Sequence, residues 1–150
     1  STLMNIHEHD KSKEIAISLD SFDRALLKDA LFRYLNTYAM MSPVSENRED
    51  LSRKPETYKS ALHIDALLQQ AKPDTRGVSI ITIEESCAMS LIQIAQYNER
   101  CQLPDLAQTK NPERCDQIRA IGNFCLELAD NVFEYFDNQN LNQLVPKINE

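Results

Sequence analysis

Seven carboxylates in the second half of the chain, Glu84, Glu85, Glu99, Glu113, Asp116, Glu127 and Asp130, come nearest to a chemical pattern. Glu113-x-x-Asp116 and Glu127-x-x-Asp130 each place two carboxylates about one helical turn apart. Two helices carrying such acids face to face can hold Mg²⁺, a hard cation that takes oxygen ligands and keeps waters for a substrate phosphate. The same acids also suit ordinary roles, with Glu85 capping a helix and Glu127 and Asp130 on a solvated acidic face. His7-Glu8-His9-Asp10 could bind Zn²⁺ or Ni²⁺ if a strand placed both imidazoles on one side, but its surroundings read as a polar tail. His63 has no Cys or Ser partner at a diagnostic spacing. Cys87, Cys101, Cys115 and Cys125 fall on or near apolar stripes without any Cys-x-x-Cys pair, which predicts reduced thiols packed as small hydrophobes.

Other chemistries are excluded by what the chain lacks. With only Gly77 and Gly122 for glycines, it cannot build a P-loop, a dinucleotide fingerprint or a nucleophile elbow, each of which needs several. A net charge of −7 argues against nucleic acid and anionic membrane as partners, because that affinity comes from accumulated Lys and Arg. The sequence shows no apolar run of membrane-spanning length and no basic-then-apolar start, so the expectation is a cytoplasmic protein.

The elements that must position these residues are mainly helical. Residues 1–12 read as a flexible tail, and 13–150 as a single helical domain with a mobile loop over 42–55. Alternation of Ile15, Ile17 and Leu19 predicts a short strand. Asp20 or Ser21 then caps a helix to about Met40 with Phe22, Leu26, Ala30, Tyr34 and Tyr38 inward, and Leu27, Leu31 and Leu35 widening that stripe. A second helix runs from about Glu56 to Ala71 through Tyr58, Ala61, Ile64 and Leu68. Val78–Ile81 predicts a second strand, and Thr82-Ile83-Glu84-Glu85 has capping-box spacing for a third helix to about Cys101. Asn111-Pro112 starts a fourth after a polar loop, reaching about Asp137, with Leu141, Leu144, Val145 and Ile148 forming a last amphipathic turn. The two strand-to-helix junctions align at an offset of 64 residues, Ile17 with Ile81, and the strands can pair. The expected fold is mainly all-α, a four-helix-bundle-like domain with that minor β element. Arg24, Lys28 and Arg33 form a solvated stripe, with Asp20 and Asp29 spaced to pair with Arg24 and Arg33.

The segments Thr82-Ile-Glu-Glu-Ser-Cys-Ala-Met-Ser-Leu-Ile-Gln93 and Leu126-Glu-Leu-Ala-Asp-Asn-Val-Phe133 resemble the two metal-binding helices of MazG-like nucleoside triphosphate pyrophosphohydrolases. The resemblance covers roughly twenty residues. It implies an all-α enzyme in which Glu84, Glu85, Glu127 and Asp130 hold Mg²⁺, and this is the alternative reading. The leading reading is a small acidic helical protein-interaction module, of adaptor, inhibitor or immunity type, without cofactor and not an enzyme. It would cover a partner's basic or apolar surface, or pair as a homodimer. Tyr34, Tyr38, Met40 and Met41, at the end of the first helix, are its candidate partner-binding residues, since Met adapts its shape and Tyr offers area with a polar tip.

Overall fold

In the computed structural model the backbone is described for residues 4–8, 14–41 and 55–148, and side chains for 4–6, 14–37 and 55–138. The elements are β1 (Asn5–Glu8), β2 (Glu14–Leu19), α1 (Ser21–Met41), α2 (Glu56–Gln70), β3 (Ser79–Glu84), α3 (Glu85–Arg100), α4 (Gln102–Gln108) and α5 (Pro112–Ile148). The fold is mainly α, with a small antiparallel sheet in the order β1-β2-β3. Apart from Pro55, the loop expected over 42–55 lies outside the described residues.

The sheet forms where β-branched residues alternate. Ile15 and Ile17 of β2 lie opposite Ile83 and Ile81 of β3, and all four are buried. Pairing of the two strands, expected from the sequence, is thus present with Ile17 on Ile81. β1 adds a third strand within the stretch read as a tail, with Ile6 opposite Ile17.

Side-chain caps start two of the helices. Asp20 Oδ1 accepts the Asp23 N–H at 2.7 Å to begin α1, and Asn111 Oδ1 accepts those of Glu113 at 2.9 Å and Arg114 at 3.2 Å to begin α5. The capping box expected at Thr82 is absent, because β3 continues to Glu84, which is itself the N-cap and makes no side-chain cap bond. Between α2 and β3 the chain turns at Asp74, whose Oδ1 accepts the N–H groups of Arg76 and Val78, while Gly77 adopts φ +79°. Those backbone donors stabilise the ionised Asp74 carboxylate and lower its pKa.

The core joins both layers. Leu27, Leu31, Ile64, Leu68, Leu91, Ile94, Leu128 and Val132 are fully buried with Ile17, Leu19, Ile81 and Ile83. Each such side chain contributes about 1.5–3 kcal/mol relative to exposure. α3 lies at the centre, packed on α1, α2 and α5.

α1 is rotated relative to the expected stripe. Steps of four residues advance 400°, so Phe22, Leu26, Ala30 and Tyr34 drift about 40° per step around the helix. The interior centres on Leu27, Ala30 and Leu31, which leaves Phe22 61% exposed and puts Asp23 in the buried position beside it. The solvated basic stripe is also revised. The Arg24 guanidinium donates to the backbone oxygens of Leu68 at 2.6 Å and Ala71 at 3.5 Å, where the negative end of α2 favours a cation. Arg33 pairs with Asp105 of α4 rather than Asp29, and so ties α1 to α4.

The polar loop expected after Pro104 contains α4, a helix with no buried residue. α5 runs unbroken to Ile148, past the expected end at Asp137.

Candidate functional site

The four carboxylates of the alternative reading sit on α5 and at the β3–α3 junction. Gln102, the first residue of α4, lies over Gly122 of α5, and α3 packs along α5. Glu84, Glu85 and Asp130 are exposed, and Glu127 is half-buried. Among the described residues no three His, Cys, Asp or Glu side chains are placed to hold a metal ion together. Ala88 or Met89 stands where the resembled pattern carries a third glutamate.

Of the candidate partner-binding residues, Tyr34 alone has its side chain among the described residues. Tyr34 turns inward, packs at the edge of the core and meets Tyr97 of α3 edge to face, with ring centroids 5.7 Å apart and planes at 83°. The side chains of Tyr38, Met40 and Met41 lie outside the described residues, as do those of His7 and His9. His63 is exposed on α2.

Beside Tyr34 a cleft of about 500 Å³ opens between the second half of α1, α4 and the start of α5. Phe32, Asn36, Ile118 and Ile121 line it, with Asp29 and Arg114 among its charged groups. The Arg33–Asp105 pair closes one side, and its hydrogen bond raises the Arg33 pKa against the opposing effect of burial. Phe32 is 69% exposed. Most of its lining is polar or charged, and Phe32, Ile118 and Ile121 are its apolar residues.

Apolar area is exposed elsewhere as well. Met89 on α3, and Leu126 and Phe133 on α5, remain 49%, 45% and 58% exposed. The sequence carried a signal for Phe133. Val132 and Phe133 are adjacent on a helix, about 100° apart, and Val132 takes the interior.

The thiols divide by depth. Cys87 and Cys125 are buried, Cys101 and Cys115 are half-exposed, and none of the four is in a disulfide. Burial raises the Cys87 pKa, and burial with the Glu99 charge pushes that of Cys125 up to about 12.

No protein-family model, curated protein or solved structure matches this chain. No helix among the described residues is long and apolar enough to cross a membrane.

Proposed function

We propose that this chain is a small acidic protein-interaction module that acts by covering a basic or apolar surface of a partner protein. The observation that carries this reading is the placement of the aromatic residues. Of five phenylalanines, Phe22, Phe32 and Phe133 stay 61%, 69% and 58% exposed. A large aromatic side chain held in water gains free energy when a partner covers it, and such residues dominate protein interfaces. The net charge of −7 favours a partner whose surface is basic around its apolar centre. The four free thiols suit a reducing compartment, in keeping with action in the cytoplasm.

Affinity capture from an extract of the source cells tests the reading. The wild-type chain is expected to retain a defined protein that Phe32→Ser or Phe133→Ser loses, each variant keeping its helical circular dichroism and melting temperature. Retention of the same proteins by wild type and both variants would contradict it.

A further inference from the structure

We infer that the chain is built from two copies of one strand–helix–helix unit, β2-α1-α2 and β3-α3-α5, paired about an approximate two-fold axis, so that each unit has the other as its partner. This goes beyond the interaction reading and does not depend on it.

A single offset of 64 positions carries the first unit onto the second. It takes Ser21 at the start of α1 to Glu85 at the start of α3, and it places all of α2 within α5. Buried positions follow the same offset. In the strands, Ile17 and Leu19 correspond to Ile81 and Ile83. In the first helices, Leu27, Ala30 and Leu31 correspond to Leu91, Ile94 and Ala95. In the second helices, Ala61, Ile64 and Leu68 correspond to Cys125, Leu128 and Val132, and every one of these side chains is buried. Helical periodicity repeats a face within one helix but does not fix the spacing between separate elements. One offset that holds across a strand and two helices therefore marks a repeated unit. α3 departs from the pattern by burying Ala88 and Ile92 where α1 carries Arg24 and Lys28, because three helices surround it.

The packing has the matching symmetry. The antiparallel β2–β3 ladder sets Ile17 opposite its own counterpart Ile81, and Ala16 faces Thr82 as Ser18 faces Ile80. This is the pairing that a two-fold axis through Ile17 and Ile81 produces. Between α1 and α3, Asn98 Nδ2 donates to the Ala30 carbonyl at 3.0 Å and to the Ile94 carbonyl at 2.9 Å, so one buried amide joins two corresponding positions. α2 packs on α3, and α5 packs reciprocally on α1. Such reciprocity is that of a homodimer interface, here within one chain. β1 and α4 stand outside the repeat. So do the exposed aromatics: Phe22, Phe32 and Phe133 correspond to Ser86, Gln96 and Gln69, all exposed. The unit thus folds with a polar residue at each of those positions.

The test exchanges corresponding core residues in the full chain. Ala30→Ile alone is expected to lower the melting temperature by about 5 °C through overpacking, and Ile94→Ala alone by about 10 °C through a cavity. Combined, they move the same side chains across the axis, and the double variant is expected to melt within about 5 °C of wild type. Leu31→Ala with Ala95→Leu repeats the test should Ala30→Ile fail to fold. Ile64→Ala with Ala129→Ile, at positions that do not correspond, is the control whose losses add. Additive losses in the exchanged pairs, or equal recovery in the control, would overturn the inference. Phe22→Ser, Phe32→Gln and Phe133→Gln are expected to leave the melting temperature within about 2 °C of wild type, and a larger fall would likewise count against a shared unit.

Discussion

Replacing Leu91 by alanine is expected to destabilise the protein by about 3–4 kcal/mol and lower its melting temperature by about 10 °C. Leu91 is fully buried in the middle of α3, and α3 is enclosed by α1, α2 and α5. Truncation removes the transfer free energy of the side chain and leaves a cavity that three helices, held by their other contacts, cannot close. Leu103→Ala is the matched control. Leu103 is 77% exposed on α4, so its loss is expected to change stability by less than about 0.5 kcal/mol. Thermal and urea unfolding of the two variants measure the contrast. Equal effects would mean that α3 is not the centre of the core.

The second large effect concerns alkaline pH. The Cys125 thiol is fully buried with its pKa pushed up to about 12, against an ordinary value of 9.0. Above about pH 9 the unfolded chain releases this proton while the native state keeps it. The native state then binds more protons, so stability falls as pH rises. The slope approaches about 1.4 kcal/mol per pH unit, or about 4 kcal/mol in total by pH 12. Below the unfolded value the contribution is constant. Cys87 titrates in the same direction. Cys125→Ala is therefore expected to be slightly less stable than wild type at neutral pH and more stable near pH 11. Denaturant titrations of both proteins across that range measure the crossing. In parallel, iodoacetamide at neutral pH is expected to label Cys101 and Cys115 well before the two buried thiols.

Most of the helical framework is legible in the sequence because burial imposes a period. Leu91, Ile94 and Asn98 of α3, and Ala61, Ile64 and Leu68 of α2, face inward as their spacing requires. Asp20 and Asn111 cap as their side chains dictate. What the sequence hides has local physical causes. β1 has one apolar residue, Ile6, in Asn5–Glu8, and its pairing comes from the edge of β2 rather than from any pattern of its own. α4 buries nothing and so leaves no stripe; Arg33–Asp105 and the packing of Gln102 on Gly122 hold it in place. The inward face of α1 depended on a phase that four-residue spacing alone does not fix, and this decided whether Phe22 or Asp23 lay inside.

The candidate surfaces were less legible still. Tyr34 and Phe32 are both aromatic and two positions apart, and only packing against Tyr97 shows that Tyr34 turns inward and Phe32 outward. Likewise the spacing of Glu85, Glu127 and Asp130 suited a metal site if the two helices met at those positions. Glu85 opens α3 while Glu127 and Asp130 lie midway along α5, and spacing within each helix does not fix where two helices meet.

On the proposed function, the exposed phenylalanines of this chain serve a partner rather than its own fold. Hydrogen exchange by mass spectrometry on the chain, alone and with its captured partner, tests this most directly. New protection is expected only in the segments carrying Phe32 or Phe133, in α1 and α5, with exchange in α2 and β3 unchanged. Uniform protection across all elements, or none in either phenylalanine-bearing segment, would contradict it.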